Sequence, residues 1–305
     1  MTSSARHHIL VFGREGQVAT ELRQASLPKG WSLEALGRSS LDITCAPAVE
    51  KAVAAIGPTV VVNAAAYTAV DRAESEPEQA FAVNRDGTLH IAQACTKAGI
   101  PLIHLSTDYV FDGRLADRAY REDDPVNPLG VYGVSKEAGE RAVRENAPAH
   151  VIMRTAWVYS AHGQNFLKTM LRLGQERPEL RIVDDQRGCP TSAADIAAAV
   201  IEVSRHLAAG RTDCFGTFHY CGTGATTWFG FASEIFALAA ARGINPPCLH
   251  PITTADYPLP ATRPANSVLE CTRMRSLYGI SAPDWRESLK RCLDQVLDAR
   301  IGEAA

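Results

Sequence analysis

The 305-residue sequence lacks a long apolar run, an excess of charge of one sign and a paired-cysteine motif. No run approaches the roughly 20 apolar residues of a membrane-spanning helix, and the N-terminal MTSSARHHILVFG lacks the long apolar core of a signal peptide. A net charge of −3 provides no basic surface for nucleic acid or for an anionic membrane. We therefore expect neither of them as a partner.

Eight cysteines are spread along the chain without any C-x-x-C pair. The composition is otherwise ordinary, with 46% hydrophobic and 21% charged residues. This pattern is typical of reduced thiols in a cytoplasmic protein, and it argues against a disulfide frame, a zinc site or a catalytic cysteine. We predict a cytoplasmic protein without metal ligands.

The first half of the chain alternates strand and helix patterns. HHILVFG, TVVVNAAAY, PLIHLSTDYVF and HVIMRTAWVY are apolar runs without polar alternation, and helical patterns follow them. Such strands indicate a parallel sheet that is covered on both faces. Because crossovers in parallel sheets are right-handed, we predict a doubly wound, Rossmann-type α/β fold.

The pattern becomes more mixed after about residue 160. We predict a dinucleotide-binding domain over residues 1–159 and a smaller mixed α/β domain for substrate over residues 160–305. The segment at about 188–210 is expected to pack back onto the first domain. Residues 76–99 are predicted to form one long helix, and the segment at 246–267, rich in proline and threonine, an ordered loop over a ligand.

A glycine turn follows the first strand and opens the first helix. VFGREGQVATEL supplies Gly13, Gly16 and Ala19 in a G-x-x-G-x-x-A pattern. The first glycine permits the tight turn, the second a close approach to a pyrophosphate, and the small third residue close helix packing. The motif alone also fits a plain glycine turn, but its place at the first βα turn favours dinucleotide binding. Arg38 stands where an acid would select NADH, which favours NADPH and leaves NADH open.

The segment GVYGVSKEAGE places Tyr132 and Lys136 four residues apart on one helical face. A nearby ammonium favours a phenolate and lowers the tyrosine pKa toward a range useful in proton transfer. The spacing also occurs by chance. Thr107, at the end of the fourth strand, offers a hydroxyl that can stabilise an alkoxide together with Tyr132.

Several segments together resemble the extended short-chain dehydrogenase/reductases, and within them the dTDP-4-dehydrorhamnose reductase family. They span residues 13 to about 269, and the specific ones are YTAVDRAESEPE and STDYVFDG. The resemblance implies hydride transfer from a nicotinamide to C4 of a 4-keto-6-deoxy-L-sugar on dTDP, giving dTDP-L-rhamnose in the last step of its synthesis. It implies that Tyr132 donates the proton, Thr107 stabilises the oxyanion and Lys136 holds the nicotinamide ribose.

The glycine turn, the small residues after the third strand and the resemblance together give a set of binding residues. The cofactor-binding residues are Gly13, Gly16, Gln17, Val18, Arg38, Asp42, Ile43, Ala64, Ala65, Ala66, Tyr67, Thr68, Tyr132 and Lys136. The substrate-binding residues are Thr107, Asp108, Trp157, Asn165 and Arg263. In this set Trp157 is a flat wall for the sugar, and Arg263 pairs with the pyrophosphate.

The sequence allows alternatives for the metal, for the reaction and for catalysis itself. Some members of the family bind Mg²⁺ through carboxylates at a dimer contact, but Ala194 stands where one carboxylate is expected, which argues against Mg²⁺ and leaves a homodimer open. Another sugar-nucleotide epimerase or dehydratase of the same fold is one alternative, although a single acid, Asp108, follows the threonine. A non-catalytic regulatory subunit of methionine adenosyltransferase, which resembles the same family, is the other.

Overall fold

The computed structural model describes residues 7–304, in which the chain forms a central sheet, two layers of helices and a second, smaller core. The strands are β1 (His7–Phe12), β2 (Trp31–Leu36), β3 (Val60–Asn63), β4 (Leu102–Thr107), β5 (His150–Thr155), β6 (Val158–Tyr159), β7 (Glu179–Val183), β8 (Arg187–Gly188), β9 (Thr191–Ser192), β10 (Gly216–His219), β11 (Thr226–Thr227) and β12 (Cys248–Ile252). The helices are α1 (Gln17–Gln24), α2 (Ala46–Ile56), α3 (Val70–Ala73), α4 (Pro77–Phe81), α5 (Thr88–Ala98), α6 (Val131–Asn146), α7 (Phe166–Glu176), α8 (Ala193–Ala208), α9 (Trp228–Ala240), α10 (Thr272–Tyr278) and α11 (Trp285–Ala304).

Six parallel strands form the central sheet in the order β10-β5-β4-β3-β1-β2. Apart from His7, His8 and the buried Asn63, the strands β1 and β3 consist of buried apolar residues, as expected where helices cover both faces of a sheet. On one face α1 and α8 pack together, and on the other α2, α5 and α6 do so. The predicted doubly wound parallel fold is confirmed.

A second core lies between α7, α9 and α11, beside the two-stranded sheet of β7 and β12. Its largest fully buried side chains are Trp285, Tyr159 and Phe231. The chain returns from this region to the central sheet twice, through α8 against α1 and through β10 beside β5. The division of the chain at residue 159 stays a prediction. Among the helices of residues 7–304, none is long and apolar enough to cross a membrane.

Two local predictions differ in detail from the structure. Residues 77–98 are helical without a break and end at the C-cap Gly99, as predicted, but this helix contains a π-helical segment at 82–87 between α4 and α5 that the sequence pattern does not predict. This wider turn contains Asn84, which is fully buried and hydrogen-bonds the backbone of Tyr67 on both sides, accepting from its N and donating to its O. π turns of this kind are frequent at functional sites.

The segment at 246–267 is not entirely a loop, because β12 pairs in parallel with β7 and a 3₁₀ turn follows at 254–256. Pro251 masks the strand pattern, yet proline is compatible with an edge strand, where one side of the backbone has no partner. The sequence pattern also does not predict α10 or α11.

Candidate active site

The helix α6 brings Tyr132 to the carboxyl end of β4. Gly130 is the N-cap of α6 in extended conformation, and the Glu74 side chain accepts a hydrogen bond from Val131 N at 2.9 Å. Gly133 lies directly on the carbonyl of Tyr109, where a Cβ would clash with backbone. This close approach packs α6 against the turn that follows Thr107.

Tyr132 is buried, with 9% of its surface exposed. Burial raises its pKa to about 12, a hydrogen bond with the Thr107 side chain lowers it, and the Asp108 carboxylate raises it further. The hydroxyl is therefore protonated at neutral pH and is a proton donor. Lys136, expected to lower this pKa, is not among these influences, and its Nζ donates to Leu105 O at 2.8 Å.

Lys136 is itself almost fully buried. Burial lowers the pKa of its ammonium to about 8, and the Glu140 carboxylate opposes this shift by raising it. Glu140 lies one helical turn further along α6, so Tyr132, Lys136 and Glu140 occupy one face of the helix. The acid keeps the buried ammonium charged at neutral pH.

Glu140 is held in place by a buried polar network. Arg154 on β5 donates to both of its carboxylate oxygens, at 2.9 and 2.7 Å, and Ser106 on β4 donates at 2.6 Å. Arg144 adds a fourth hydrogen bond at 3.0 Å. The motifs do not assign a role to Glu140 or Arg154, although the i, i+4 spacing of Lys136 and Glu140 is visible in the sequence.

Thr107 and Asp108 lie directly beside Tyr132. Thr107 Oγ1 donates to Asp108 Oδ1 at 3.0 Å and accepts from Tyr109 N at 3.2 Å. Burial raises the pKa of Asp108 to about 6. Within residues 7–304, the other carboxylate oxygen, Oδ2, is buried and has no hydrogen-bond partner. A buried acceptor without a partner is a place where a ligand hydroxyl or amide could bind.

The glycine turn lies between β1 and α1, as predicted. Gly13 has φ +99°, and a Cβ there would lie 2.7 Å from Ala65 N, so the turn packs tightly on the chain after β3. Gly16 is the N-cap of α1 and has open space where a Cβ would stand. A tight turn followed by an unobstructed helix N-terminus fits the pyrophosphate of a dinucleotide.

The other predicted cofactor residues follow β2 and β3 at the same edge of the sheet. Arg38 is largely exposed, and its Nε lies 4.0 Å from Asp42 Oδ2. Hydrogen bonding from Thr44 N lowers the pKa of Asp42. Ile43 fills the space beside Gly87. The remaining predicted residues are placed as follows: Ala64, Ala65, Ala66, Tyr67 and Thr68 continue from β3, and Gln17 and Val18 lie in the first turn of α1.

Trp157 stacks flat on Trp228, with ring centroids 3.6 Å apart and planes at 6°. Trp157 is the one non-glycine residue of the described chain with a positive φ, +49°. Its indole lies against Gly188, where a Cβ would clash, and Trp228 Nε1 donates to Gln186 Oε1 at 3.1 Å. Trp157 is a predicted site residue, whereas Trp228 is not, because no sequence spacing connects the two tryptophans.

The two remaining predicted substrate residues have protein partners. Arg263 forms a two-point ion pair with Asp71, at 2.9 and 2.7 Å, and joins the segment after β12 to α3. Asn165 caps α7 by accepting from Lys168 N and donates to Gln17 Oε1 at 2.9 Å. Asn165 therefore lies next to the glycine turn, a contact between distant segments that no local sequence pattern predicts.

Comparison with known proteins identifies the family of this chain. The family profile described as RmlD substrate binding domain matches residues 7–298. A relative named dTDP-4-dehydrorhamnose reductase, from Sinorhizobium fredii, is 46% identical over 287 residues, which cover 93% of this chain and 95% of the relative. The chain belongs to the dTDP-4-dehydrorhamnose reductase family.

Solved structures of the family share the whole fold. A dTDP-4-dehydrorhamnose reductase from Clostridium acetobutylicum is 38% identical, with a TM-score of 0.89, over 95% of this chain and 99% of the other. A dTDP-4-dehydrorhamnose reductase from Bacillus anthracis in complex with NADP is 35% identical, with a TM-score of 0.87, over the same shares of the two chains. The family resemblance in the sequence is therefore confirmed.

Proposed function

We propose that this chain reduces dTDP-4-dehydrorhamnose at C4 to dTDP-L-rhamnose with NADPH, the last step in the synthesis of that nucleotide sugar. One observation carries the proposal. Tyr132, in the first turn of α6, lies beside Thr107 at the carboxyl end of β4, on the edge of the sheet that also carries the glycine turn. In doubly wound sheets this edge is where ligands bind.

Gly13, Gly16 and the N-terminus of α1 would hold the pyrophosphate of NADPH, and Lys136 would hold its nicotinamide ribose. When bound, this cofactor supplies a hydride. Tyr132 would donate its proton to the sugar oxygen at C4, because burial keeps its hydroxyl protonated at neutral pH. Thr107 would stabilise the negative charge on the same oxygen by turning its hydroxyl from Asp108 to the substrate.

The sugar nucleotide would bind beside these groups. Trp157, held flat by Trp228, offers an apolar wall for the deoxysugar. Asp108 Oδ2 is the acceptor for a substrate hydroxyl. Arg263 would reach the pyrophosphate of dTDP from its pair with Asp71, and Asn165 would act from the N-terminus of α7.

Several finer properties belong to the same proposal. Arg38, largely exposed after β2, supports a preference for NADPH over NADH. The absence of a carboxylate at Ala194 supports activity without Mg²⁺. The eight cysteines are free thiols, which supports a cytoplasmic location.

The test is to mix the purified chain with NADPH and dTDP-4-dehydrorhamnose, follow oxidation of NADPH, and identify the product by NMR. Stoichiometric formation of dTDP-L-rhamnose is expected. Conversion of dTDP-glucose to a 4-keto sugar would indicate a dehydratase instead. Absence of NADPH oxidation by a folded protein would favour a non-catalytic binding subunit.

A further inference from the structure

A cavity that shares no lining residue with the candidate active site, but whose cysteines pack in the same cluster as Trp157, is lined by three cysteines. It has a volume of about 310 Å³ and lies between the end of β10 and the start of α10. Cys189, Cys221 and Cys271 line it, and none of the residues in the Tyr132 and Lys136 cluster does so. The three thiols come from segments far apart in sequence, so the fold alone brings them together.

Two of the thiols are in direct contact. Cys221 Sγ lies 3.6 Å from Cys271 Sγ, and both also approach Leu269 O, at 3.6 and 3.7 Å. Cys221 is 4% exposed and Cys189 is 3% exposed, whereas Cys271 is partly exposed toward the cavity. A disulfide needs a sulfur separation of about 2.05 Å, so a shift of roughly 1.5 Å would join Cys221 to Cys271.

The other cysteines provide a contrast. Cys45 and Cys248 are exposed but lie outside the cluster, and burial raises the pKa of the Cys95 and Cys292 thiols to about 12. Within the cluster, by contrast, a hydrogen bond from Cys221 lowers the pKa of the Cys189 thiol. The hydrogen bonds of Cys221 with Cys189 and Cys271, together with burial, raise the pKa of the Cys221 thiol well above its ordinary value. Cys221 is therefore a poor first nucleophile, and the contact between thiols is what distinguishes the cluster from the isolated cysteines.

We propose that Cys271 and Cys221 form a thiol-modification site that takes a low-molecular-weight disulfide of the glutathione class. The Cys271 thiolate attacks one sulfur of that disulfide, forms a mixed disulfide and releases one small thiolate. The Cys221 thiolate then attacks the Cys271 sulfur, forms the Cys221–Cys271 disulfide and releases the second small thiolate. The two cysteines are oxidised, the small disulfide is reduced, and each cysteine loses its proton to solvent.

The order of attack follows from access. Cys271 faces the cavity and is partly exposed, so a small disulfide can reach it first. Cys221 is shielded from solvent but touches Cys271, so it attacks from inside. Arg275 and Glu270 both line the cavity, so its charge is mixed and the order of attack rests on access to Cys271 alone.

The disulfide would close a loop of 50 residues, which contains α9, β12 and the segment of Arg263. One end of this loop is fixed to the edge of the central sheet, because Cys221 follows β10. Closing such a loop restricts the unfolded chain, so the oxidised protein is expected to unfold at a higher temperature than the reduced protein.

The test is to incubate the reduced full chain with glutathione disulfide, alkylate the remaining thiols and map the peptides by non-reducing mass spectrometry. The number of free thiols is expected to fall by two from eight, with a linked peptide that joins Cys221 to Cys271. In the Cys221→Ser variant, the reaction is expected to stop at a mixed disulfide on Cys271. The Cys271→Ser variant should form neither product.

The matched control is the double variant Cys45→Ser and Cys248→Ser, which removes the two exposed thiols outside the cluster and should still form the linked peptide. Glutathione mixed disulfides confined to Cys45 and Cys248 would overturn the proposal. So would a disulfide between Cys189 and Cys221 in place of the proposed pair. None of these measurements depends on reductase activity.

Discussion

The carboxylate of Glu140 and the guanidinium of Arg154 form a buried two-point ion pair, with Oε1 to Nε at 2.9 Å and Oε2 to Nη2 at 2.7 Å. Neither side chain is more than 3% exposed. The pair joins α6 to β5 at the helical turn that follows Lys136. A buried pair of this kind is not necessarily stabilising compared with apolar residues, but removal of one partner leaves the other charge uncompensated.

We predict that Glu140→Gln lowers the free energy of unfolding by about 3–5 kcal/mol, because it leaves Arg154 buried without its counter-charge. Since the Glu140 carboxylate raises the Lys136 pKa, the variant should also lose turnover at a lower pH than the parent. Urea unfolding and a pH profile of kcat measure the two effects. Glu137→Gln is the control, because within residues 7–304 Glu137 pairs only with Arg144, which is partly exposed, and its loss should cost under about 1 kcal/mol. An unchanged pH profile of kcat in a folded Glu140→Gln variant would show that Glu140 does not control the Lys136 pKa.

We predict that Tyr132→Phe lowers kcat by a factor of about 10² to 10⁴, the usual contribution of a general acid, while the fold stays intact. The control is Tyr159→Phe, which removes another buried hydroxyl that donates to Trp285 O at 3.2 Å in the second core. Tyr159→Phe should cost about 1 kcal/mol of stability and leave kcat near the parent value. Parent-like kcat in Tyr132→Phe would exclude Tyr132 as the proton donor.

We predict opposite pH trends in activity and stability from Lys136. Burial lowers the pKa of this ammonium from 10.5 to about 8, so between these values the unfolded state holds more protons than the folded state. The free energy of unfolding contributed by Lys136 therefore rises from about pH 8 to 10.5, whereas turnover falls above about pH 8 as the charge is lost. Lys136→Met should abolish this rise in stability. Chemical unfolding across pH 7 to roughly 11 measures it, and an identical slope in the variant would contradict the assignment.

We predict that Trp228→Leu raises KM for the sugar nucleotide by up to about tenfold, since loss of the stacked ring leaves Trp157 without its support. The effect on kcat should be smaller, because Trp228 has no role in proton transfer. Trp31→Leu serves as the control, since Trp31 lies on the edge strand β2 with its ring against His7, away from Trp157. Steady-state kinetics at varied substrate concentration gives KM and kcat for each variant. An equal KM in the Trp228 and Trp31 variants would show that the Trp157–Trp228 pair does not bind the substrate.

We predict that Arg38→Ala raises the Kd of NADPH by about tenfold or more and leaves the Kd of NADH nearly unchanged, because only NADPH carries the 2′-phosphate that a guanidinium would bind. Arg23→Ala, at the exposed end of α1, is the control and should change neither value. Fluorescence titration with each cofactor gives the comparison. Equal weakening of both cofactors would place Arg38 away from the phosphate.

Local sequence patterns predict much of the fold and several of the candidate active-site residues. Continuous apolar strands require burial on both faces, so they predict the parallel sheet directly. Gly13, Gly16 and the Tyr132–Lys136 spacing are likewise local, because a turn and one helical face place these residues within a few positions of one another. Whole-chain motifs also indicate the family, and the family profile over residues 7–298 confirms it.

The tertiary structure alone decided the contacts between distant segments. Arg154 reaches Glu140, Trp228 supports Trp157, and Cys221 meets Cys271 only because separate strands and helices pack side by side. The edge strand β12 is not apparent from the sequence because it contains Pro251. The π turn at 82–87 contains the buried Asn84, which hydrogen-bonds residues of other segments. The periodicity of a sequence shows which face of a helix or strand is apolar, but it does not show which other element packs against that face. Contacts such as Arg154 with Glu140 depend on that packing, so only the tertiary structure reveals them.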